Sequence, residues 1–277
     1  MPRVPSPESY SLPVRITLGV ILFSIVASQQ QPPGYSPVQD GEPHGDPPYL
    51  IERGWQPLMN GKDLSGWKAC DTAAKNEWFT TAAVRFERYL GPTQLNGRTA
   101  PSGVILNGTG RTANICTEET FGDVELYLEF MLAKGSNSGI YLQGLYEIQI
   151  FDSWGSPEAM TTSDGGAIYH RWIEEHGVGG SAPLVNASRR PGEWQSYQAW
   201  FRAPRFDAGG KKTESARFLR VLFNGQLVQK DVDIAGPTRA HLEIPEAAQN
   251  PLMIQGDHGP VALRNIYVRP LRPLIVR

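Results

Sequence analysis

The sequence predicts an all-β protein, a jelly-roll β-sandwich of two packed antiparallel sheets. Three observations carry the prediction. Short apolar runs of strand length recur along the chain with turn-forming residues between them. Gly (29) and Pro (23) make up about 19% of the 277 residues against a usual share of about 12%, and both interrupt helices. No segment carries a sustained helical stripe with caps. With 40% hydrophobic and 10% aromatic residues the chain also has the apolar surface to build a core, unlike a disordered sequence of similar Gly and Pro content.

Residues 1–28 read as a signal peptide. Arg3 and Arg15 precede the apolar run 16–27 (ITLGVILFSIVA), and Val26 and Ser28 suit the small-residue positions of a cleavage site. This 12-residue run falls short of the roughly 20 residues that a spanning helix needs, so no stable membrane span is expected and the protein is expected in the periplasm or outside the cell. Residues 29–52 follow as a Pro-rich, disordered linker, with six Pro and three Gly in 29–50 alone. Residues 53–273 are expected to form one β-sandwich domain.

Within that domain the strands follow in order. Residues 121–132 (FGDVELYLEFML) alternate Val124, Leu126, Leu128 and Phe130 with Glu125, Tyr127, Glu129 and Met131, the period-2 pattern of a sheet. Residues 138–142 and 146–151 are two further strands joined through Gly144, and 194–201 continues the series. Residues 218–231 hold Asn224-Gly225 between two apolar runs, a strong hairpin signal. Residues 261–268 close the set, and a short helix is expected around 173–176. Apolar residues on both faces of several strands call for two packed sheets.

Charge excludes one class of partner. Lys+Arg 26 against Asp+Glu 28 gives a net −2 with no long run of one sign, so nucleic acid has no electrostatic footprint here. Cys70 and Cys116 are the two cysteines; export would permit a disulfide, and two buried thiols fit the sequence equally well. With five scattered His (44, 170, 176, 241, 258) they form no zinc-type spacing. No cofactor is predicted, and a divalent cation is left open. Nucleophile elbows, phosphate loops and dinucleotide fingerprints are absent from the sequence. Asn107-Gly108-Thr109 and Asn186-Ala187-Ser188 match the glycosylation sequon, which matters only in a host that glycosylates.

Three segments could carry chemistry. In 137–152 (NSGIYLQGLYEIQIFD), Glu147 and Gln149 share one strand face, as do Gly139, Tyr141 and Gln143 on the preceding strand. The patch lacks Lys and Arg, which favours a ligand-lined sheet over a solvated outer face. In 255–265 (QGDHGPVALRN), glycines bend the chain around Asp257-His258, and Arg264 follows on a strand. Imidazole suits general acid or base work near neutrality, while the residues alone favour a turn histidine bonded to backbone. The long connection 153–192 holds Trp154, Gly165-Gly166-Ala167-Ile168-Tyr169, His170 and Trp172, and sugars stack their C–H faces on such rings.

Together, Gly54-Trp55 with 58–67 (LMNGKDLSGW), then NSGIYLQG, YEIQIFDS, GGAIY, PGEWQSY, FNG and IQGDHGPVALRNI, in this order, resemble the 3-keto-disaccharide hydrolase family over about residues 54–270. The resemblance implies a concanavalin A-like (laminin-G-like) jelly roll, usually exported, cleaving glycosides whose sugar a separate 3-oxidoreductase has oxidised at C3. It implies acid/base roles for Glu147 and His258. Arg264 and Gln149 would stabilise an enolate or hold hydroxyls, with Asn137, Tyr141, Gln143, Asp152 and Tyr169 shaping the pocket. Leu145 and Leu263 depart from the pattern, where a basic residue and an aromatic are usual, and loss of a basic side chain beside the cleft would alter substrate choice. A non-catalytic carbohydrate-binding module is the alternative, and a glycosidase acting on unoxidised sugar a third reading. Clustering of Glu147, Asp152, His258 and Arg264 in motifs favours the enzyme.

Overall fold

The computed structural model describes residues 47–156 and 158–272. The signal peptide expected at 1–28, and the linker as far as residue 46, lie outside them.

Two antiparallel sheets enclose one core. The larger sheet runs, edge to edge, through Gln226–Ile234, Ala216–Phe223, Gln195–Arg202, Val124–Leu132, Val261–Pro270, Ile105–Leu106 and Phe79–Thr80, with Gln56–Pro57 also pairing on Val261–Pro270. The smaller runs through Tyr146–Phe151, Asn137–Leu142, Asn250–Ile254, Ile115–Phe121 and Trp67–Ala69. Chain neighbours change sheet at Ile115–Phe121 to Val124–Leu132, and again at Asn250–Ile254 to Val261–Pro270. This exchange between layers makes the sandwich a jelly roll. Val124, Leu126, Leu128, Phe130 and Leu132 meet Ile140, Leu142, Tyr146, Ile148 and Ile150 in the core, with Phe130, Tyr197 and Phe223 in mutual ring contact at 4.7–5.8 Å.

Turn chemistry sets the registers. Asn224 (φ 50°) and Gly225 (φ 77°) take the left-handed conformations of a two-residue hairpin. The helix expected around 173–176 is instead a second hairpin, Arg171–Ile173 paired with His176–Val178. Glu174 (φ 47°) and Glu175 (φ 62°) form its turn, because cross-strand pairing outweighs the weak helical preference of Glu. Cys70 and Cys116 are joined in a disulfide with Cα atoms 5.2 Å apart, which settles the pairing the sequence left open.

Val124–Leu132 is buried along its whole length, on both faces. On the outer face Glu125 (1% exposed) is held by Arg269 Nε at 2.8 Å, and Arg269 stacks over Trp55 at 4.4 Å and pairs with Glu52. Tyr49 lies flat on Tyr267, ring centroids 4.0 Å apart, and against Tyr127. The stretch expected to run free to residue 52 is thus docked from Pro47 onward, with a helical turn at Pro48–Ile51, because it covers a polar pair that would otherwise face water.

Arg269→Ala would strand a buried carboxylate and is expected to cost about 3–5 kcal/mol of unfolding free energy. The double variant Glu125→Gln, Arg269→Met should recover most of that loss. Urea unfolding of the three proteins measures both.

Candidate active site

The smaller sheet turns its polar side chains away from the core. With Ile140, Leu142, Ile148 and Ile150 facing inward, alternation sends Asn137, Gly139, Tyr141, Glu147 and Gln149 outward. Register aligns them. Glu147 stands opposite Tyr141, Tyr141 opposite Met253, Met253 opposite Cys116 and Cys116 opposite Lys68, a row across all five strands. In the next row Gln149 stands opposite Gly139. A methyl group at Gly139 would overlap Glu147 Oε1, so the glycine leaves the gap into which the carboxyl leans.

This outward face is covered. Glu147 is 3% exposed and Tyr141 1%. Residues 165–169 lie alongside Tyr146–Phe151, with Gln149 N–H donating to Ala167 O (2.9 Å) and Tyr169 N–H to Glu147 O (3.2 Å). The 238–242 loop closes another side. Glu147 N–H donates to Thr238 Oγ1 (3.2 Å), the Tyr141 hydroxyl to Arg239 O (3.2 Å), and Leu242 packs on Tyr141 and Met253.

Burial pushes the Glu147 carboxyl from 4.5 up to about 8, against the downward pull of a hydrogen bond from Tyr141. At neutral pH it is predominantly the neutral acid. The Tyr141 phenol is held well above its ordinary value, by burial first and then by Glu147, Tyr169 and Asp257, which places these groups within electrostatic reach of one another. His258 stands beside Asp257, with Nδ1 2.6 Å from Asp257 Oδ1 and 3.2 Å from Gln255 Nε2. The carboxylate keeps the ring proton on Nδ1 and leaves the Nε2 lone pair free on a half-exposed side chain. Asn107 clamps both ends of this loop. Its amide donates to Gly256 O (3.1 Å) and Gly259 O (2.9 Å) and accepts from Val261 N–H (2.8 Å), so the buried Asn107 sequon has no amide to offer a glycan. Asn137 N–H donates to His258 O (3.3 Å) and joins the loop to the face.

Two acceptors on this face have no partner. Asn137 Oδ1 and Gln149 Oε1 are buried and make no hydrogen bond. Buried acceptors ordinarily meet a donor, and hydroxyl groups of a ligand are donors of the right kind.

The face gathers Glu147, Tyr141, Gln149, Asn137, Tyr169 and His258 from the residues the sequence proposed. Three others stand elsewhere. Arg264 belongs to the larger sheet, opposite Glu129, with Nε 2.6 Å from Glu129 Oε2 and its guanidinium 4.1 Å over Trp194. Phe130 next to Glu129 faces the core, so Arg264 lies on the far outer surface of the sandwich and cannot act with Glu147. Gln143 sits in the hairpin turn (φ 57°), where alternation ends, and its amide donates to Phe121 O and Ala248 O at 3.1 Å each. Asp152 lies past its strand and accepts from Gly135 N–H (2.8 Å), which organises the adjoining loop. Leu145 and Leu263 are fully buried in the core, so neither borders the cleft and Leu145 takes no basic side chain away from it. Sequence reasoning missed Thr238 and Arg239, which meet Glu147 and Tyr141 across more than 90 residues and carry no motif signal, and gave no role to Gln255, although its segment was singled out.

A groove of about 1180 Å³ adjoins the face, lined among others by Lys68, Arg111, His241, Asp257 and the Cys70–Cys116 disulfide. A smaller cavity of about 530 Å³ lies across the sandwich at Trp194 and Arg264. Among the described residues no three His, Cys, Asp or Glu side chains converge as a metal site, and no helix is long and apolar enough to cross a membrane.

Fold and face together define a carbohydrate-active jelly-roll domain of the glycosyl hydrolase type. The chain belongs to the 3-keto-alpha-glucoside-1,2-lyase-like family, whose domain matches residues 54–269. Among solved structures it is similar to a candidate glycosyl hydrolase from Parabacteroides distasonis, with 27% identity and a TM-score of 0.57, covering 79% of this chain and 84% of that one. A second candidate glycosyl hydrolase of that organism is 17% identical with a TM-score of 0.48, covering 79% and 94%. No curated protein matches.

A carboxyl raised on folding binds its proton more tightly in the native state. The contribution of Glu147 to stability is therefore greatest below about 4.5, falls as pH rises toward about 8, and levels off beyond. The shift corresponds to roughly 4–5 kcal/mol. Glu147→Gln should remove most of this slope and be more stable than the parent at pH 8.5 but not at pH 4, as read by denaturant unfolding at both values. Gly139→Ala should crowd the carboxyl and lower stability by about 1–3 kcal/mol, measured in the same way.

Proposed function

We propose that this face cleaves glycosides whose sugar carries a ketone at C3, by elimination across C1–C2 followed by hydration. The observation that carries the reading is a buried, neutral carboxyl, Glu147, on a face to which Asn137 N–H ties the loop of a histidine paired with its own aspartate. Ordinary glycosidases use two carboxyl groups flanking the bond. Here Asp257 is committed to His258, which leaves Glu147 as the one free carboxyl of this face. One acid and one imidazole base suit a substrate whose C2–H the neighbouring ketone has already acidified.

His258 Nε2 takes the C2 proton, and the electron pair moves into the C2–C3 bond as the C3 oxygen becomes an enolate. That oxyanion needs donors: the second N–H of the Gln149 amide, whose first is bonded to Ser163 O (3.2 Å), and the Tyr141 hydroxyl once it turns from Arg239 O would supply them. As the enolate collapses, the C1–O bond breaks and Glu147 gives its proton to the leaving oxygen. The Glu147 carboxylate then accepts a proton from the water that adds to C1, and the imidazolium returns its proton to C2. Both residues are restored and the net result is hydrolysis. A sugar 3-oxidoreductase would supply the substrate. Export is part of this reading, supported by the apolar run 16–27 and by a disulfide suited to an oxidising compartment.

The experiment is incubation of the purified protein with 3-keto and unoxidised disaccharides, following products by mass. Turnover of the 3-keto sugars alone is expected, with His258→Ala and Glu147→Gln each lowering kcat at least about 100-fold. Saturable binding without turnover would leave a carbohydrate-binding module. Because Glu147 must enter protonated, kcat/KM should fall as pH rises through about 8, and Glu147→Gln should lose that alkaline limb.

A further inference from the structure

We infer that Trp172 and Arg239 form the platform that holds the leaving sugar of the substrate. The inference rests on the reading of Glu147 as the acid of the site. From that residue a continuous path leads outward. Tyr169 N–H is bonded to Glu147 O, and the Tyr169 ring stacks on His170 at 4.1 Å. His170 in turn lies 6.0 Å from Trp172, on the hairpin Arg171–Ile173 and His176–Val178. Arg239 joins the two ends of this path. Its carbonyl accepts from the Tyr141 hydroxyl (3.2 Å), its N–H donates to His170 O (2.9 Å), and its guanidinium lies 3.9 Å over the Trp172 ring.

The chemistry at the end of the path is that of a sugar subsite. Trp172 is 46% exposed, an uncommon degree for an indole. Arg239 covers part of the ring and fixes its orientation, so the remaining surface is a rigid apolar plane bordered by guanidinium donors. Pyranose rings present C–H groups on their faces and hydroxyls at their edges, which matches a plane with donors at its border. Burial, with Arg239 nearby, holds His170 below its ordinary value, so the imidazole between the two aromatic rings stays uncharged. The path to the platform starts at the backbone of the proposed acid, through Tyr169 N–H and Glu147 O.

The test compares a 3-keto disaccharide with methyl 3-keto-glucoside, which has no second ring to hold. In Trp172→Ala the ratio of kcat/KM for the disaccharide to that for the methyl glycoside should fall about tenfold, through KM rather than kcat, and Trp172→Phe should restore most of it. Arg239→Gln should shift the ratio in the same direction. An equal loss on both substrates would make Trp172 a structural residue, and an unchanged ratio would overturn the platform. Calorimetric titration of disaccharide into Glu147→Gln, with and without Trp172→Ala, separates this inference from the catalytic reading. If the parent turns over neither substrate, the proposed reaction fails. The platform then stands only if Trp172→Ala still weakens binding.

Discussion

A carboxyl group leaning into the space of a missing side chain is the constraint on which this site depends. Glu147 reaches its buried position because Gly139, on the neighbouring strand, has no Cβ. From that packing follow the loss of water around the acid, its elevated proton affinity and its contact with Tyr141. The fold accepts a destabilising term here and offsets it with the apolar core beneath the same strand. Functional groups held on sheet strands by register are placed more rigidly than groups on loops, and the row from Glu147 to Lys68 is of that kind.

The sandwich uses its two outer faces differently. On the larger sheet Glu125 and Glu129 meet Arg269 and Arg264, and the result is a locked ionic layer under Tyr49 and Trp55. On the smaller sheet the Glu147 carboxyl makes no ion pair among the described residues, and two acceptors there, Asn137 Oδ1 and Gln149 Oε1, have no partner among them. Paired charges on one side and unpaired polar groups on the other separate scaffold from site more clearly than burial does, since Glu125 and Glu147 are both buried.

Much of this was legible in the sequence, for identifiable reasons. Period-2 patterning exposed Val124–Leu132, and Asn224-Gly225 announced its hairpin, because both signals are local. Alternation also put Glu147, Gln149 and Tyr141 on one face correctly. It failed at Gln143, because a turn residue no longer obeys the pleat. Arg264 was misplaced for a different reason. Its motif adjoins that of His258, yet the chain changes sheets between Ile254 and Val261, and adjacent motifs end on opposite surfaces. Thr238 and Arg239 were invisible because a hydroxyl and a backbone carbonyl reach the face across more than 90 residues of chain. The helix expected near 173–176 was lost to pairing that only the folded chain supplies.

The disulfide has a consequence beyond cross-linking. The smaller sheet ends on Trp67–Ala69, a strand of three residues whose few ladder bonds hold weakly, and Cys70 at its end is tied to Cys116 on the strand beside it. The bond therefore acts as an edge guard. Without it, the edge opposite Ile115, Cys116 and Thr117 would rest on three residue pairs and on the buried Trp67 ring, whose Nε1 donates to Leu58 O (2.9 Å). An open ladder is a template for a strand from another chain. The Cys70–Cys116 bond thus pins the end of the edge strand to its neighbour, where such a template would otherwise begin to open.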